Sequence, residues 1–196
     1  MLLAIDSSVG TVVGVLGEHG NCLSRAAVED RRSHAEAIGP LIARALADAN
    51  ATPADISAVV MGVGPGPFTG LRVGMAAAQA FAIGRSIPLW PVLSHDSAAW
   101  DLEGDTLIVT DARRGEVAVT GYSPRTEGSF ALKKAETHLV KREQFDATAH
   151  EENVQELVEI DPCALARAAL WYRHHNVQLL PPQAVYLRAP DVTMPQ

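Results

Sequence analysis

At 196 residues, with 47% hydrophobic, 20% charged and 5% aromatic residues, the chain has the make-up of a folded protein whose core is built from Ala, Val and Leu, and a mainly disordered state is excluded. The length admits one compact unit or two half-size lobes. A formal charge of −7 repels polyanions on average and argues against tight nucleic-acid binding by this chain alone.

Residues 2–5, 11–17 and 22–29 read as three strands, joined by Ser7-Ser8-Val9-Gly10 and by Glu18-His19-Gly20-Asn21, so the chain opens with a meander. The N-terminus lacks a basic leader and meets Asp6 early, which predicts neither a signal peptide nor a membrane span and suggests a cytoplasmic protein. Ser33 and Glu36 stand three apart as in a capping box, and Ile38, Leu41, Ile42, Ala45, Leu46 and Ala49 follow at helical intervals up to Asn50. The apolar run 58–63 predicts a buried strand that empties into the stiff loop Gly64-Pro65-Gly66-Pro67-Phe68-Thr69-Gly70. Residues 71–84 predict an alanine-rich helix that is apolar nearly all round, residues 88–92 predict another buried strand, and Ser94-His95-Asp96 is expected to cap a short helix toward Trp100.

Three strands followed by alternating helix and strand fit an α/β fold with a mixed five-stranded sheet, as in ribonuclease-H-like domains, filling residues 1–100. A smaller second lobe is expected over residues 101–196, beginning at the acidic linker 101–105. Within it, residues 106–110 and 116–122 should pair around Asp111-Ala112-Arg113-Arg114-Gly115, residues 130–140 carry a weaker strand pattern, and residues 150–153 read as polar loop. Asp161-Pro162 should cap a helix carrying Leu165, Ala168, Ala169 and Tyr172. Residues 184–187 are read as a last strand, returning toward the first lobe.

Asp6 ends the first strand, where an acid can orient a metal-bound phosphate, although an Asp capping a turn is also a common structural device. The loop with Gly64, Gly66, Thr69, Gly70 and the following Arg72 could offer backbone N–H groups to an anion. It lacks the Lys-Ser/Thr ending of a Walker loop, its prolines remove two donors, and its other reading is a rigid turn that seats the helix against the sheet. Asp111 and Arg113 are the matching candidates in the second lobe, so a nucleotide-binding or ATP-hydrolysing enzyme with Asp6 and Asp111 facing each other across a cleft is one alternative. No His-x-x-x-His pair exists, and no Ser sits in a nucleophile elbow, which leaves metal chemistry and a protease-like hydrolase with little support. Cys22 and Cys163 are far apart in sequence and are expected to be reduced thiols. Lys133, Lys134, Lys141 and Arg142 form a basic run that is either a solvated strand face or a local nucleic-acid contact.

The segments L-L-A-I-D-S-S from Leu2, H-A-E-A-I-G-P-L-I from His34, G-V-G-P-G-P-F-T-G-L-R-V-G from Gly62, D-A-R-R-G-E-V from Asp111 and A-V-Y-L-R-A-P-D from Ala184 resemble the TsaB (YeaZ) family, in order along nearly the whole chain. The resemblance implies a two-lobed fold of the actin and sugar-kinase type. It also implies a non-catalytic partner role in threonylcarbamoylation of tRNA adenosine 37. In that family the paralogue TsaD carries the metal and the chemistry, and the ATPase TsaE joins the pair. No cofactor is then expected in this chain, ATP and Mg²⁺ belonging to the partner complex, and tRNA is reached through that complex. The first two helices would pack on TsaD, or on a second copy of the chain when isolated. Gly74, Ala78 and Ala82, with Met75 beside them, make a small-residue stripe for such a contact, and Leu41, Ile42 and Leu46 could supply bulk. The alternative is that these stripes face their own sheet.

Overall fold

The computed structural model describes residues 1–28, 34–100, 102–124 and 130–188. Strands β1 (Leu2–Asp6), β2 (Thr11–Leu16) and β3 (Cys22–Val28) form the expected meander, and β4 (Ala58–Gly62) and β5 (Leu89–Val92) add to its other edge in the order β3-β2-β1-β4-β5. The first three strands run antiparallel, while β4 pairs with β1, and β5 with β4, in parallel. β1, β2 and β4 are buried along their whole length, because helices cover both faces of the sheet. Strand alternation then sorts the core: Leu3, Ile5, Val13, Val15, Val59 and Met61 meet helices α1 (His34–Asp48) and α2 (Phe68–Arg85), and Leu2, Ala4, Val12, Leu16 and Val60 meet helix α3 (Pro162–His174).

The capping box expected at Ser33 lies outside the described residues, as does Glu29 of the expected third strand. α1 turns Leu41, Ala45 and Leu46 inward and leaves Ala35, Gly39, Ala43 and Ala47 exposed. α2 buries Leu71, Gly74, Met75, Ala78 and Ala82 and exposes Thr69, Arg72, Ala76, Ala80 and Ile83. The interface residues expected from the small-residue stripe are therefore corrected. Gly74, Met75, Ala78 and Ala82, with Leu41 and Leu46, belong to this chain's own core, and Ile42 is half-buried against it. Small side chains at four-residue spacing let a helix approach any backbone closely, and here that backbone is β1 and β4.

The second sheet, in the order β8-β7-β6-β9, comprises β6 (Thr106–Arg113), β7 (Glu116–Tyr122), β8 (His138–Lys141) and β9 (Asn153–Glu156). β6 and β7 form the expected hairpin, and β9 pairs in parallel with β6. Of residues 130–140 only the last three are strand, the earlier part joining β7 by a single bridge between Lys133 and Tyr122, and β9 begins where polar loop was expected.

Asp161 caps α3 by accepting from the backbone N–H groups of Cys163 and Ala164 at 2.8 and 3.2 Å. The helix follows the second sheet in sequence and lies on the first in space, so close that a Cβ on Gly14 of β2 would meet Pro162 at 2.9 Å. At this contact the expectation of two free thiols fails: Cys22 and Cys163 are joined in a disulfide, their Cα atoms 5.6 Å apart across a sequence separation of 141. The expected last strand fails as well. Residues 184–187 form no ladder; one backbone bond from Val185 N–H to the Val63 carbonyl at 2.8 Å ties them to the end of β4, and Tyr186 N–H turns back to the Ala184 carbonyl at 3.0 Å.

Candidate functional site

The ends of β1 and β4, the start of α2, the β6–β7 turn and the returning tail meet in a cleft between the two sheets. Asp6 lies at its floor but does not open into it. Its Oδ1 accepts from Ser8 N–H at 2.7 Å and from Ser8 Oγ at 2.6 Å, and Oδ2 accepts from Ser94 Oγ. Ser94 Oγ in turn accepts from Gly64 N–H at 3.0 Å. Burial raises the Asp6 pKa, and the serine hydrogen bonds counter that rise in part. A Cβ on Gly62 would stand 1.8 Å from Asp6 Oδ2, so only glycine at the end of β4 leaves room for this carboxylate.

Ser7 performs a similar task for α2. Its hydroxyl donates to the Gly70 carbonyl at 2.7 Å and accepts from Gly74 N–H at 3.0 Å, fastening the first turn of the helix to the end of β1. A Cβ on Gly74 would fall 2.3 Å from that oxygen. The peptide Gly64-Pro65 is cis, and Gly66 passes so close to Ser8 that a Cβ there would be 2.6 Å from its Cα. The glycine-proline loop is thus packed against the strand ends by its backbone.

Two cavities open above this floor. One, of about 300 Å³, is lined by Ser7, Ser8, Thr69, Gly70 and Arg113 among others. The larger, of about 750 Å³, runs between the Pro65-to-Arg72 segment, the face of the second sheet at Thr110, Ala118 and Leu139, the turn Asp111 to Arg114, and the tail from Val185 to Arg188. Arg113, Arg114 and Gly115 all have positive φ, which turns the hairpin back sharply at the cavity edge. Arg188 closes the far side by pairing with Glu116 and donating to the carbonyls of Ala112 and Arg113 at 3.2 and 2.8 Å. Tyr186 stacks on Phe68 with ring centroids 5.1 Å apart, and Arg72 lies 3.9 Å above the Phe68 ring and donates to Tyr186 Oη at 2.6 Å.

The sequence-derived anion candidates therefore divide. Gly66, Arg72, Asp111 and Arg113 line the larger cavity; Thr69 and Gly70 line the smaller, with Arg113 shared; Asp6 and Gly64 line neither. Asp6 and Asp111 do not face each other as a ligand pair, because Asp6 is fully buried in its own hydrogen bonds while Asp111 is exposed and sits 3.9 Å from Arg113 Nε. Among the described residues no cluster of three or more His, Cys, Asp or Glu side chains could hold a metal ion. Each member of the basic run has an acidic partner: Lys133 pairs with Glu136, Lys134 with Asp105, Arg142 with Glu156, and Lys141 with Glu116, which it shares with Arg188.

Sequence reasoning missed the polar seam that joins the two sheets. His95, fully buried, bridges Thr120 and Thr110 at 2.7 and 2.8 Å, and Thr120 continues to Thr137 at 2.8 Å. Asp96 accepts from Tyr122 Oη at 2.6 Å and Tyr172 Oη at 2.9 Å. Burial holds the His95 pKa down at about 3. Burial also pushes the Asp96 pKa up to about 6, against the opposing pull of its two tyrosine partners. The only hint in the sequence is the Ser94-His95-Asp96 triplet, whose expected role as a helix cap is not the one observed: Leu93 is the cap residue and all three side chains point into the core.

Among the described residues no helix is long and apolar enough to cross a membrane. Comparison with known proteins gives the following relations. Residues 27–176 match the family model described as TsaD: tRNA N6-adenosine threonylcarbamoyltransferase. An uncharacterized protein of Mycobacterium tuberculosis strain H37Rv is 48% identical over 123 residues, covering 62% of this chain and 58% of the relative. The tRNA threonylcarbamoyladenosine biosynthesis proteins TsaB of Escherichia coli and Bacillus subtilis are each 33% identical, over 55% and 59% of this chain and 49% and 52% of the relatives. The chain thus spans about half the length of the curated relatives it matches. In fold it is similar to a Pseudomonas aeruginosa protein described by its similarity to peptidase YeaZ, with a TM-score of 0.78 at 21% identity over 95% of this chain and 99% of the other. With a family model matched over most of its length and TsaB-named relatives around it, the chain belongs to the TsaD family and, within that family, to its TsaB (YeaZ) branch.

Proposed function

We propose that the chain is a partner subunit without reactive groups of its own in the formation of threonylcarbamoyladenosine at position 37 of tRNA, binding and supporting TsaD together with TsaE. The curated TsaB relatives carry the name of that modification, which supports the pathway. The observation that carries the non-catalytic role is the state of Asp6. The acid at the end of the first strand spends both oxygens on Ser8 and Ser94 and is sealed by Gly62, so it is withheld from any metal or phosphate in the cleft. ATP and Mg²⁺ then belong to the partners, and tRNA is engaged through the assembled complex. The two sheets on either side of a cleft support an actin-like, sugar-kinase-like two-lobed layout.

The partner surface follows from the corrected helix faces. The outward residues Ala35, Gly39, Ala43 and Ala47 of α1, and Ala76, Ala80 and Ile83 of α2, put small or apolar side chains at the surface of two adjacent helices, with Glu36 and the Arg44–Asp48 pair beside them on α1. Such a surface lets the backbones of a second helix pair come close, and a contact of standard size buries roughly 1,600 Å² in total. TsaD is the assigned occupant, and a second copy of the chain takes its place when the protein is alone.

The test is co-elution with TsaD by gel filtration. Ala80→Glu is expected to fold normally, to lose the complex and to abolish any dimer of the isolated chain, since an unpaired carboxylate in a packed interface costs on the order of several kcal/mol. Undiminished co-elution of the folded Ala80→Glu variant would sink the assigned surface. In a reconstituted mixture, TsaD and TsaE are expected to need this chain for modification; full modification without it would sink the role itself.

A further inference from the structure

The disulfide between Cys22 and Cys163 has two unlike ends. Cys22 opens β3, the edge strand of the first sheet, directly after the turn that the Gly17 N–H closes on the Asn21 carbonyl, and it is exposed. Cys163 is the second residue of α3 and only 2% exposed. Gly14 of β2 stands behind it, where a Cβ would lie 3.3 Å from its sulfur.

A thiolate opens a disulfide by attacking one sulfur and expelling the other, so access to each sulfur decides the outcome. Attack at Cys163 needs a path through the close contact of α3 on β2, whereas attack at Cys22 comes from the open edge of the sheet. Charge does not set the direction. The N-terminus of α3 favours a thiolate released at Cys163, and the Asp161 carboxylate, which accepts from the Cys163 N–H at 2.8 Å, opposes it. The Ser24 carbonyl stands 3.6 Å from the Cys163 sulfur, so the expelled group, once protonated, has an acceptor for its S–H in place.

Other holds keep α3 seated when the bond is open. Leu165, Ala168 and Ala169 bury apolar surface against the first sheet, Asp161 caps the helix, and Glu159 pairs with Arg25 of β3.

We propose that Cys22 is a site of reversible S-thiolation by a small thiol. The thiolate of the incoming thiol forms a new S–S bond at the Cys22 sulfur, the Cys22–Cys163 bond breaks, and Cys163 leaves with the electron pair and takes up the proton that the incoming thiol lost. One disulfide is exchanged for another, so no further oxidant or reductant is consumed. Cys163 stays in the core beside the mixed disulfide, and its return attack expels the small thiol and recloses the bond when that thiol is scarce. The fastening of α3 to the sheet edge thereby follows the thiol content of the surroundings.

The experiment uses the isolated full chain, so its outcome does not depend on TsaD binding or on the assigned helix surface. The chain, purified without reductant, is exposed to reduced glutathione, quenched with acid at early times and mapped by peptide mass spectrometry. A glutathione adduct is expected on Cys22, with Cys163 as a free thiol, forming at a rate proportional to glutathione concentration. With oxidised glutathione, folded Cys163→Ser should acquire the adduct and folded Cys22→Ser should not. Where a variant fails to fold, the wild-type map and rate law decide. An adduct on Cys163, or a rate that levels off as glutathione rises because the chain must first open, would overturn the proposal. A native bond that glutathione does not attack, or two free thiols before any treatment, would overturn it as well.

Discussion

Asp6 and Gly62 show how tightly single residues are specified at the cleft floor. A methyl group on Gly62 would overlap Asp6 Oδ2, and both residues sit on paired central strands that have no room to part. Gly62→Ala must therefore expel the carboxylate from Ser94 or spread the sheet, with an expected loss of about 3 kcal/mol in urea unfolding. Gly39→Ala makes the contrast. A Cβ there meets nothing within 4 Å, and in the exposed interior of α1 the change should raise stability by roughly 0.5–1 kcal/mol. An unchanged midpoint for Gly62→Ala would contradict the account of the floor.

His95 and Asp96 make a second case, because their titrations oppose each other. His95 is neutral in the fold down to about pH 3 but binds a proton near pH 6.5 once unfolded, so it withdraws stability as pH falls. Asp96 is protonated in the fold below about pH 6 but only near pH 3.8 once unfolded, so it returns stability over the same interval. Between pH 4 and 6 the folded and unfolded states therefore bind equal numbers of protons at this pair. Asp96→Asn removes one side of the balance. Relative to wild type, that variant should lose stability by roughly 1.4 kcal/mol per pH unit as pH drops from 6 to 4. Parallel urea midpoints for the two proteins over that range would refute the linkage.

At the scale of elements, legibility followed how local each signal was. β4, α1 and α2 were readable because a short apolar run and a helical period reside in the segment itself, and the Asp161-Pro162 start of α3 was readable because a cap acts within three residues. Asp161→Ala should cost about 1 kcal/mol, the ordinary worth of a helix N-cap, as a lowered thermal midpoint. What faced what was less readable. Gly74, Ala78 and Ala82 have one pattern whether they touch another protein or their own sheet, and only burial separates the two cases. The tail failed as a strand for a related reason. The apolar residues of 184–187 predicted one, yet the Tyr186 N–H turns back to the Ala184 carbonyl, and Tyr186 and Arg188 spend their side chains on Phe68, Arg72 and Glu116. The seam from His95 to Thr137 and the cavity between the sheets join residues distant in sequence, and no local pattern announces them.

Across the whole molecule, the bond between Cys22 and Cys163 ties the edge of the first sheet to the start of α3. Closing a loop of 141 residues restricts the unfolded chain, and Cys22→Ser should lower stability by on the order of 4 kcal/mol under oxidising conditions. Thiol titration of the native protein without reductant should find neither cysteine reactive, and two reactive thiols would contradict the disulfide. Charge is arranged on the same scale. Paired lysines and arginines cover the second sheet, and further arginines gather around the one recess, Arg113 beside Asp111 and Arg188 on Glu116.

The position of α3 governs how this chain can come into being on a ribosome. β1 and β2 are translated long before α3, yet Leu2, Ala4, Val12 and Leu16 gain their cover only when residues 162–174 have emerged. Until then an oily sheet face is bare, and no truncated product stopping near residue 100 can be a soluble miniature of the protein. The first sheet waits for residues 162–174, more than a hundred positions after β2, before it is finished.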